Sequence, residues 1–518
     1  MSNRDTSPRQ RVALAAIVLG AVLVRLRLAG MPLERDEGEY AYLGQLILRG
    51  EWPYLAAHNM KLPGVYYAYA AMMGAFGETD AAIRVGLLPV NACTILLVFA
   101  IGRRLLGAAG GLTAAAVYAV SSLGTVVLGF TANAEHFVVL PAMAGLLLLA
   151  NDRVSAGRCA LAGLLLGLGF VMKQPGAAFV ACGAVWIVLA ADRRAVPIAL
   201  AAYGAGAAAP FGLTCLAMYL AGAFVPFWFW TITYAREYAT MIDRPAGMHE
   251  LRRQMAAIVR ASPGVWLLAA LGALSVALGR LERRSAWRLA ALTIASALAV
   301  APGLRFSEHY FLLLVPVLSL LAGAGTLLLA EWRGRAMLVA APALACLLAL
   351  VLDRDNLFLD SPTQVVRSVY GMNPFPEAVE IARELAARTA PDERIAIIGS
   401  EPEIYFYARR RAATSYIYMY PMMEPQPFAA RMQDDMIAQL SASLPRYLVL
   451  VNVDTSWSRR PDSSLRIMEW AAATVDAHYR PIGLAEITPG QPTRYVWGDA
   501  AAAPPRTPSY VTIFERRA

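Results

Sequence analysis

The sequence predicts a multi-span α-helical membrane protein of about eleven transmembrane helices, followed by an extracytoplasmic α/β domain. Three observations carry this. Only 16% of the 518 residues are charged and 58% are hydrophobic, whereas a soluble domain carries about 25% charged residues. Apolar runs of about twenty residues recur up to Leu352, the length that crosses ~30 Å of hydrocarbon. Arginines gather in every second short connector between those runs, the pattern of cytoplasmic loops under the positive-inside rule.

In chain order, residues 1–11 read as a basic cytoplasmic tail and about 12–30 as the first span. A large outer loop, 31–82, follows. Within it Gly38 to Arg49 places Tyr40, Leu43, Gly44, Ile47 and Leu48 on one helical face, the mark of an amphipathic helix lying on the membrane surface. A second short helix is expected over 65–76. The later spans fall at about 83–102, 108–129, 136–150, 159–172, 177–191, 196–221, 262–279, 289–303, 311–330 and 336–352. Arg103-Arg104, the segment 151–158, Asp192-Arg193-Arg194, 280–288 and 331–335 are then inner connectors. Phe227, Trp228, Phe229 and Trp230 are expected at the lipid headgroup level. Residues 1–352 form the membrane domain and 353–518 lie outside. There Arg394–Gly399, Tyr447–Val453 and Tyr510–Phe514 read as strands, and Phe375–Ala390, Glu401–Arg409 and Ser464–Val475 as helices. Such alternation suggests an α/β layer. No phosphate-binding glycine loop follows its first strand.

The net charge of +9 does not point to nucleic acid, because topology already accounts for the arginines in the connectors. The five cysteines all fall in apolar runs without metal-type or redox-type spacing. No cofactor is expected, and a divalent metal would need ligands assembled from distant loops.

The outer loop holds the densest chemistry. Glu34, Asp36, Glu37 and Glu39 lie within six residues. Asp36 with Glu39 three residues on suits a capping box. One cap does not need four acids, so Asp36 and Glu37 are candidates for general-base work on an acceptor hydroxyl. Among 46 basic residues only Lys61 and Lys173 are lysine, and both open a Lys-x-Pro-Gly turn. A lysine kept where arginine is otherwise universal marks a site that wants a compact ammonium. Both are candidates to bind a lipid-linked phosphate. Glu135, in a tight outer turn with His136, is a candidate second acid. Arg305, His309 and Tyr310 form a further candidate phosphate-binding set at another outer face, with an interfacial aromatic as the plainer reading of Tyr310.

At these residues the chain resembles the protein mannosyltransferase and aminoarabinose transferase group, glycosyltransferases of the multi-span GT-C fold. The resemblance rests on Asp36-Glu37 after the first span and on Lys61-Leu62-Pro63-Gly64 followed by Tyr66-Tyr67. The turns TANAEHF and VMKQPGAAF and the run HYFLLLVPVLSLLAG add to it, and it covers about 12–330. Leu62 stands where the group has a first proline, and Glu135 where relatives often have aspartate. The resemblance implies a polyprenyl-phosphate-linked sugar donor and an extracytoplasmic acceptor (glycan, lipid or protein). It implies a bacterial inner-membrane location with the N-terminus cytoplasmic, Asp36 as base, and Lys61 with His309 or Arg305 on the donor phosphate.

Three rival readings are a transporter or flippase of lipid-linked glycans, a membrane-anchored binding protein with the C-terminal domain as its working part, and a ligase or polymerase using a lipid-pyrophosphate donor. A transporter predicts internal repeats and mid-span charges; no clear repeat is present, and the notable charges sit at outer ends.

Overall fold

A computed structural model describes residues 7–151 and 155–517. Part of the expected N-terminal tail (1–6) and of the expected inner connector 151–158 (152–154) lie outside these residues.

The first helix, Pro8–Arg27, starts where Ser7 and Gln10 form a reciprocal capping box and proline takes the first helical position. The segments expected at 83–102 and 108–129 form one helical run, Asp80–Ser121, interrupted at Gly107. Its 42 residues would measure ~63 Å if straight, about twice the hydrocarbon thickness. Gly107 has φ 84° and ψ 174°, a conformation open to glycine. The halves fold back so closely that a Cβ on Gly102 would lie 2.8 Å from Gly111 Cα. Arg103-Arg104 therefore sits at a hairpin tip.

The remaining expected spans also coincide with helices. These are Ala134–Leu149, Ala156–Met172, Ala177–Ala190, Val196–Leu220, Pro263–Ala277, Arg283–Val300, Val315–Arg333 and Met337–Leu352. By length and composition three described helices suffice to cross a membrane alone: Asp80–Ser121, Val196–Leu220 and Val315–Arg333. A pair bent by 106°, Arg244–Ala261 with Pro263–Ala277, makes a fourth candidate. Val196–Leu220 leaves Ile198, Leu213, Leu216 and Leu220 exposed, and Met337–Leu352 leaves Val339 and Leu344 exposed. Many exposed large apolar side chains on helices suit lipid rather than water.

Beyond Leu352 a six-stranded sheet forms among the described residues. Its strands are β1 (Arg394–Ile398), β2 (Arg411–Ala412), β3 (Tyr447–Asn452), β4 (Tyr479–Glu486), β5 (Arg494–Trp497) and β6 (Tyr510–Arg516), in the order β2-β1-β3-β6-β4-β5. β1 runs parallel to β2 and β3, with Ile397 beside Val449, and β6 is antiparallel to β3 and β4. Ile395 to Ile398 are buried, as a central strand covered on both faces requires.

Two expectations change here. The helix in the outer loop begins at Arg35 and ends at Leu48, and Tyr40 through Leu46 are buried. It does not lie on the membrane surface, because the C-terminal layer covers it. Tyr42 stacks on Tyr405 at 5.1 Å and its hydroxyl accepts from Ala412 N. Tyr40, Tyr66 and Tyr69 share one hydrophobic core with Ile397, Ile404 and Val449. Likewise Phe227 and Trp230 are buried in protein, against Tyr54 and His58 respectively. Trp228 is exposed.

Candidate active site

The site is organised by where the outer-loop helix starts. Glu34, not Asp36, is the N-cap, accepting from Asp36 N and Glu37 N, while Glu37 reaches back to Glu34 N. The box is thus two residues earlier than the spacing suggested. Asp36 and Glu39 are released from capping and stand with Tyr40 on one face, at positions i, i+3 and i+4.

Lys61 meets that face. Its Nζ donates to Asp36 Oδ1 at 3.0 Å and Glu39 Oε2 at 2.7 Å, and lies 4.7 Å from the Tyr40 ring centroid. Tyr66 OH donates to the other Glu39 oxygen at 2.8 Å. A compact ammonium fits between these partners where a planar guanidinium would not.

The second Lys-x-Pro-Gly turn abuts the first. Gln174 Nε2 donates to Met60 O at 2.8 Å. A Cβ on Gly64 would sit 2.6 Å from Val171 O, so glycine permits the approach that sets the two lysines together. Lys173 Nζ donates to Glu135 Oε1 at 2.5 Å and lies 4.5 Å from the Tyr310 ring centroid. His309 stands between the pairs, its Nε2 3.9 Å from Asp36 Oδ2 and 4.0 Å from Glu135 Oε1.

These groups surround a cavity of about 340 Å³. Asp36, Lys61, Lys173, Arg305, His309 and Tyr310 line it, joined by Tyr234, Tyr238, Tyr418, Tyr420 and Glu424. Arg305 lies across the Tyr238 ring at 3.7 Å and donates to Glu424 Oε1 at 2.7 Å; Tyr234 OH holds the other Glu424 oxygen.

Two of the eight sequence candidates do not line the cavity. Glu37 is fully buried, paired with Arg84 at 2.6 Å, and accepts from Ala132 N. It clamps the outer-loop helix to the helix Asp80–Ser121 and to the turn before Ala134. Glu135 is also fully buried, in the first turn of Ala134–Leu149 rather than in an exposed turn, and its Oε2 has no hydrogen-bond partner. Asp36 keeps 17% of its side chain exposed, which makes it the carboxylate of its cluster that a ligand can reach.

The electrostatics reinforce that difference. Burial works against the Asp36 charge, but Lys61, His309 and Lys173 outweigh it and hold the carboxyl well below its usual range. Burial likewise opposes the Lys61 charge and is overcome by Asp36 and Glu39, so its pKa is raised. Burial lowers His309 despite the two carboxylates. Burial, Asp36 and Glu37 together push Glu34 up to about 8. The arrangement presents one ionised, partly accessible carboxylate in a cavity that Lys61, Lys173 and Arg305 also line. Among the described residues no three His, Cys, Asp or Glu gather as cation ligands.

Comparison with known proteins follows the same lines. Residues 60–217 match the dolichyl-phosphate-mannose-protein mannosyltransferase family. No curated protein sequence matches. ArnT from Cupriavidus metallidurans, solved bound to undecaprenyl phosphate, is 13% identical and superimposes over 98% of both chains with a TM-score of 0.61. The chain has the GT-C glycosyltransferase fold. Two further GT-C structures are similar. The arabinofuranosyltransferase AftD from Mycobacteria is 16% identical, covering 99% of this chain and 42% of that one, with a TM-score of 0.54. The oligosaccharyltransferase AglB from Archaeoglobus fulgidus, in complex with an inhibitory peptide and a dolichol-phosphate, is 13% identical over 95% of this chain and 75% of that one, at 0.50. Within this GT-C chain the family match takes in Lys61, Glu135 and Lys173, while Asp36, Arg305 and His309 lie outside it.

Sequence reasoning missed three contributors. Glu39 was readable as i+3 from Asp36, once the helix start is placed correctly. Tyr418 and Glu424 come from the C-terminal layer, and no local pattern links them to residues hundreds of positions away.

Proposed function

We propose that this protein is an inverting membrane glycosyltransferase that moves a sugar from a polyprenyl-phosphate donor to an extracytoplasmic acceptor. The observation that carries the reading is Asp36 Oδ2, an ionised carboxylate oxygen facing a cavity that Lys61, Lys173 and Arg305 also line. The lipid phosphates bound by ArnT and AglB support a donor of this class. In this mechanism the acceptor hydroxyl gives its proton to Asp36 as its oxygen attacks the anomeric carbon. The bond from that carbon to the phosphate oxygen breaks, and its electron pair leaves with the polyprenyl phosphate. The three cations stabilise the charge that develops there. A single in-line displacement inverts the anomeric centre. The chemistry calls for no cofactor.

In this reading the eleven apolar segments cross a bacterial inner membrane. The N-terminus is cytoplasmic and the C-terminal layer outside, where it roofs the cavity. The acceptor is a glycan, lipid or protein on that side.

The test is transfer by purified wild type, Asp36→Asn and Lys61→Ala with a panel of polyprenyl-phosphate sugars, a lipid-pyrophosphate sugar and a membrane extract as acceptor. A folded Asp36→Asn that binds donor and transfers nothing sustains the reading. Transfer from the pyrophosphate donor alone would replace it with the ligase reading. Variants equal to wild type would remove the site altogether.

A further inference from the structure

Asp36 Oδ1 accepts two hydrogen bonds, from Lys61 Nζ and from Tyr418 OH, both at 3.0 Å. Among the described residues Oδ2 makes no hydrogen bond and faces His309 and the cavity. A free carboxylate turns about its last bond and can exchange its oxygens. Two donors on one oxygen oppose that turn.

Of these donors Tyr418 is the better fixed. Its neighbour Met419 donates its backbone N–H to Ser400 Oγ at 2.9 Å, and its ring meets Tyr420 edge-on at 5.1 Å. Tyr420 OH in turn donates to Thr455 O and accepts from Arg35 Nη1. Arg35 precedes Asp36 in the chain and also donates to Ser400 O, Asn373 Oδ1 and Glu401 Oε1. The C-terminal layer therefore grips the outer-loop helix at two consecutive residues, one through its guanidinium and one through its carboxylate. Lys61, by contrast, divides its ammonium between Asp36 and Glu39.

We propose that Tyr418 is a positioning residue for Asp36: by holding Oδ1 it leaves Oδ2 as the oxygen that takes the acceptor proton. The C-terminal layer then completes the catalytic geometry instead of only covering it. The inference rests on Asp36 being the base.

The test is Tyr418→Phe, which keeps the ring and deletes the hydroxyl, in the full-length protein beside wild type and Asp36→Asn. Removing a donor to the ionised carboxylate raises its pKa. The acid limb of the kcat profile therefore moves to higher pH, and kcat falls about tenfold or more while the donor KM stays within about twofold. An unchanged kcat and acid limb would overturn the proposal. So would a parallel loss of kcat, donor affinity and melting temperature, which marks a packing residue only. An active Asp36→Asn would defeat the reading of the site itself. An inactive Asp36→Asn with Tyr418→Phe like wild type would defeat only this inference.

Discussion

Two Lys-x-Pro-Gly turns lie side by side in this fold and do different things. Both lysines are buried, and both open turns that run into a helix, Gly64–Phe76 after the first and Ala177–Ala190 after the second. Lys61 is shared by two carboxylates, one of them open to the cavity. Lys173 has one carboxylate partner, Glu135, which is fully buried. The same four-residue pattern thus holds a cavity-facing carboxylate in one place and a buried one in the other. The partner's access to the cavity makes the difference, and the turn itself does not.

The largest effect expected from breaking this contrast is at the two acids. Asp36→Asn should lower kcat by ~10²–10⁴-fold, the range for loss of a general base. Glu135→Gln, which leaves Lys173 a neutral acceptor, should lower it about tenfold or less. Steady-state transfer assays on both variants decide the point, and equal losses would erase the distinction.

Exchanging the lysines comes next. Lys61→Arg should cost more activity than Lys173→Arg, because a planar fork cannot meet Asp36, Glu39 and the Tyr40 ring from one centre. Lys173→Ala should instead raise the donor KM with a smaller change in kcat, as the proposed contact with the donor phosphate requires. Titration with a polyprenyl-phosphate sugar measures the split.

A smaller effect is expected where the turns touch. Gly64→Ala forces a methyl toward Val171 O and should destabilise the fold by ~1–3 kcal/mol, the usual cost of overpacking. Thermal melting in detergent measures it. Activity should fall further than stability alone accounts for, since the lysines would be pushed apart.

The smallest concerns Glu34, the capping acid beside Asp36. Glu34 has a folded pKa near 8, above its unfolded value of about 4.3. Between those values the folded state holds more protons, so this group removes stability as pH rises from about 5 to 8. Glu34→Gln keeps an oxygen for one of the two backbone amides, which now bond to separate carboxylate oxygens, and should flatten that decline. Asp36 acts in the opposite sense. Its depressed pKa contributes stability above about pH 4 that is lost as pH falls through the folded value. Melting curves from pH 3 to 9 on Glu34→Gln and Asp36→Asn separate the two.

The helices of the first 352 residues were legible because their signal is local. An apolar run and its flanking arginines mark a helix without knowledge of its neighbours, and Arg103-Arg104 marked where the long run Asp80–Ser121 turns back near Gly107. The site was legible as far as residue choice carries it. Two lysines among 44 arginines pointed to a special place, and six of the eight candidates do line one cavity. What failed was long range. Glu37 resembles Asp36 in sequence, but Arg84 and Ala132 N, both remote in the chain, claim its oxygens. The outer-loop helix has an amphipathic pattern that suits a bilayer surface as well as a protein roof. β2, β4 and β5 were missed: β2 has only two residues, and the other two pair in a hairpin at one end of the sheet.

The bond between Tyr418 and Asp36 joins residues 382 positions apart. At synthesis rates of ~5–20 residues per second, roughly 20–80 s separate their emergence from the ribosome. For that interval the outer-loop acids are made without the roof that later buries them. The nascent chain therefore carries an unfinished pocket, and a protein truncated anywhere before residue 418 lacks the hydroxyl that holds Asp36 Oδ1.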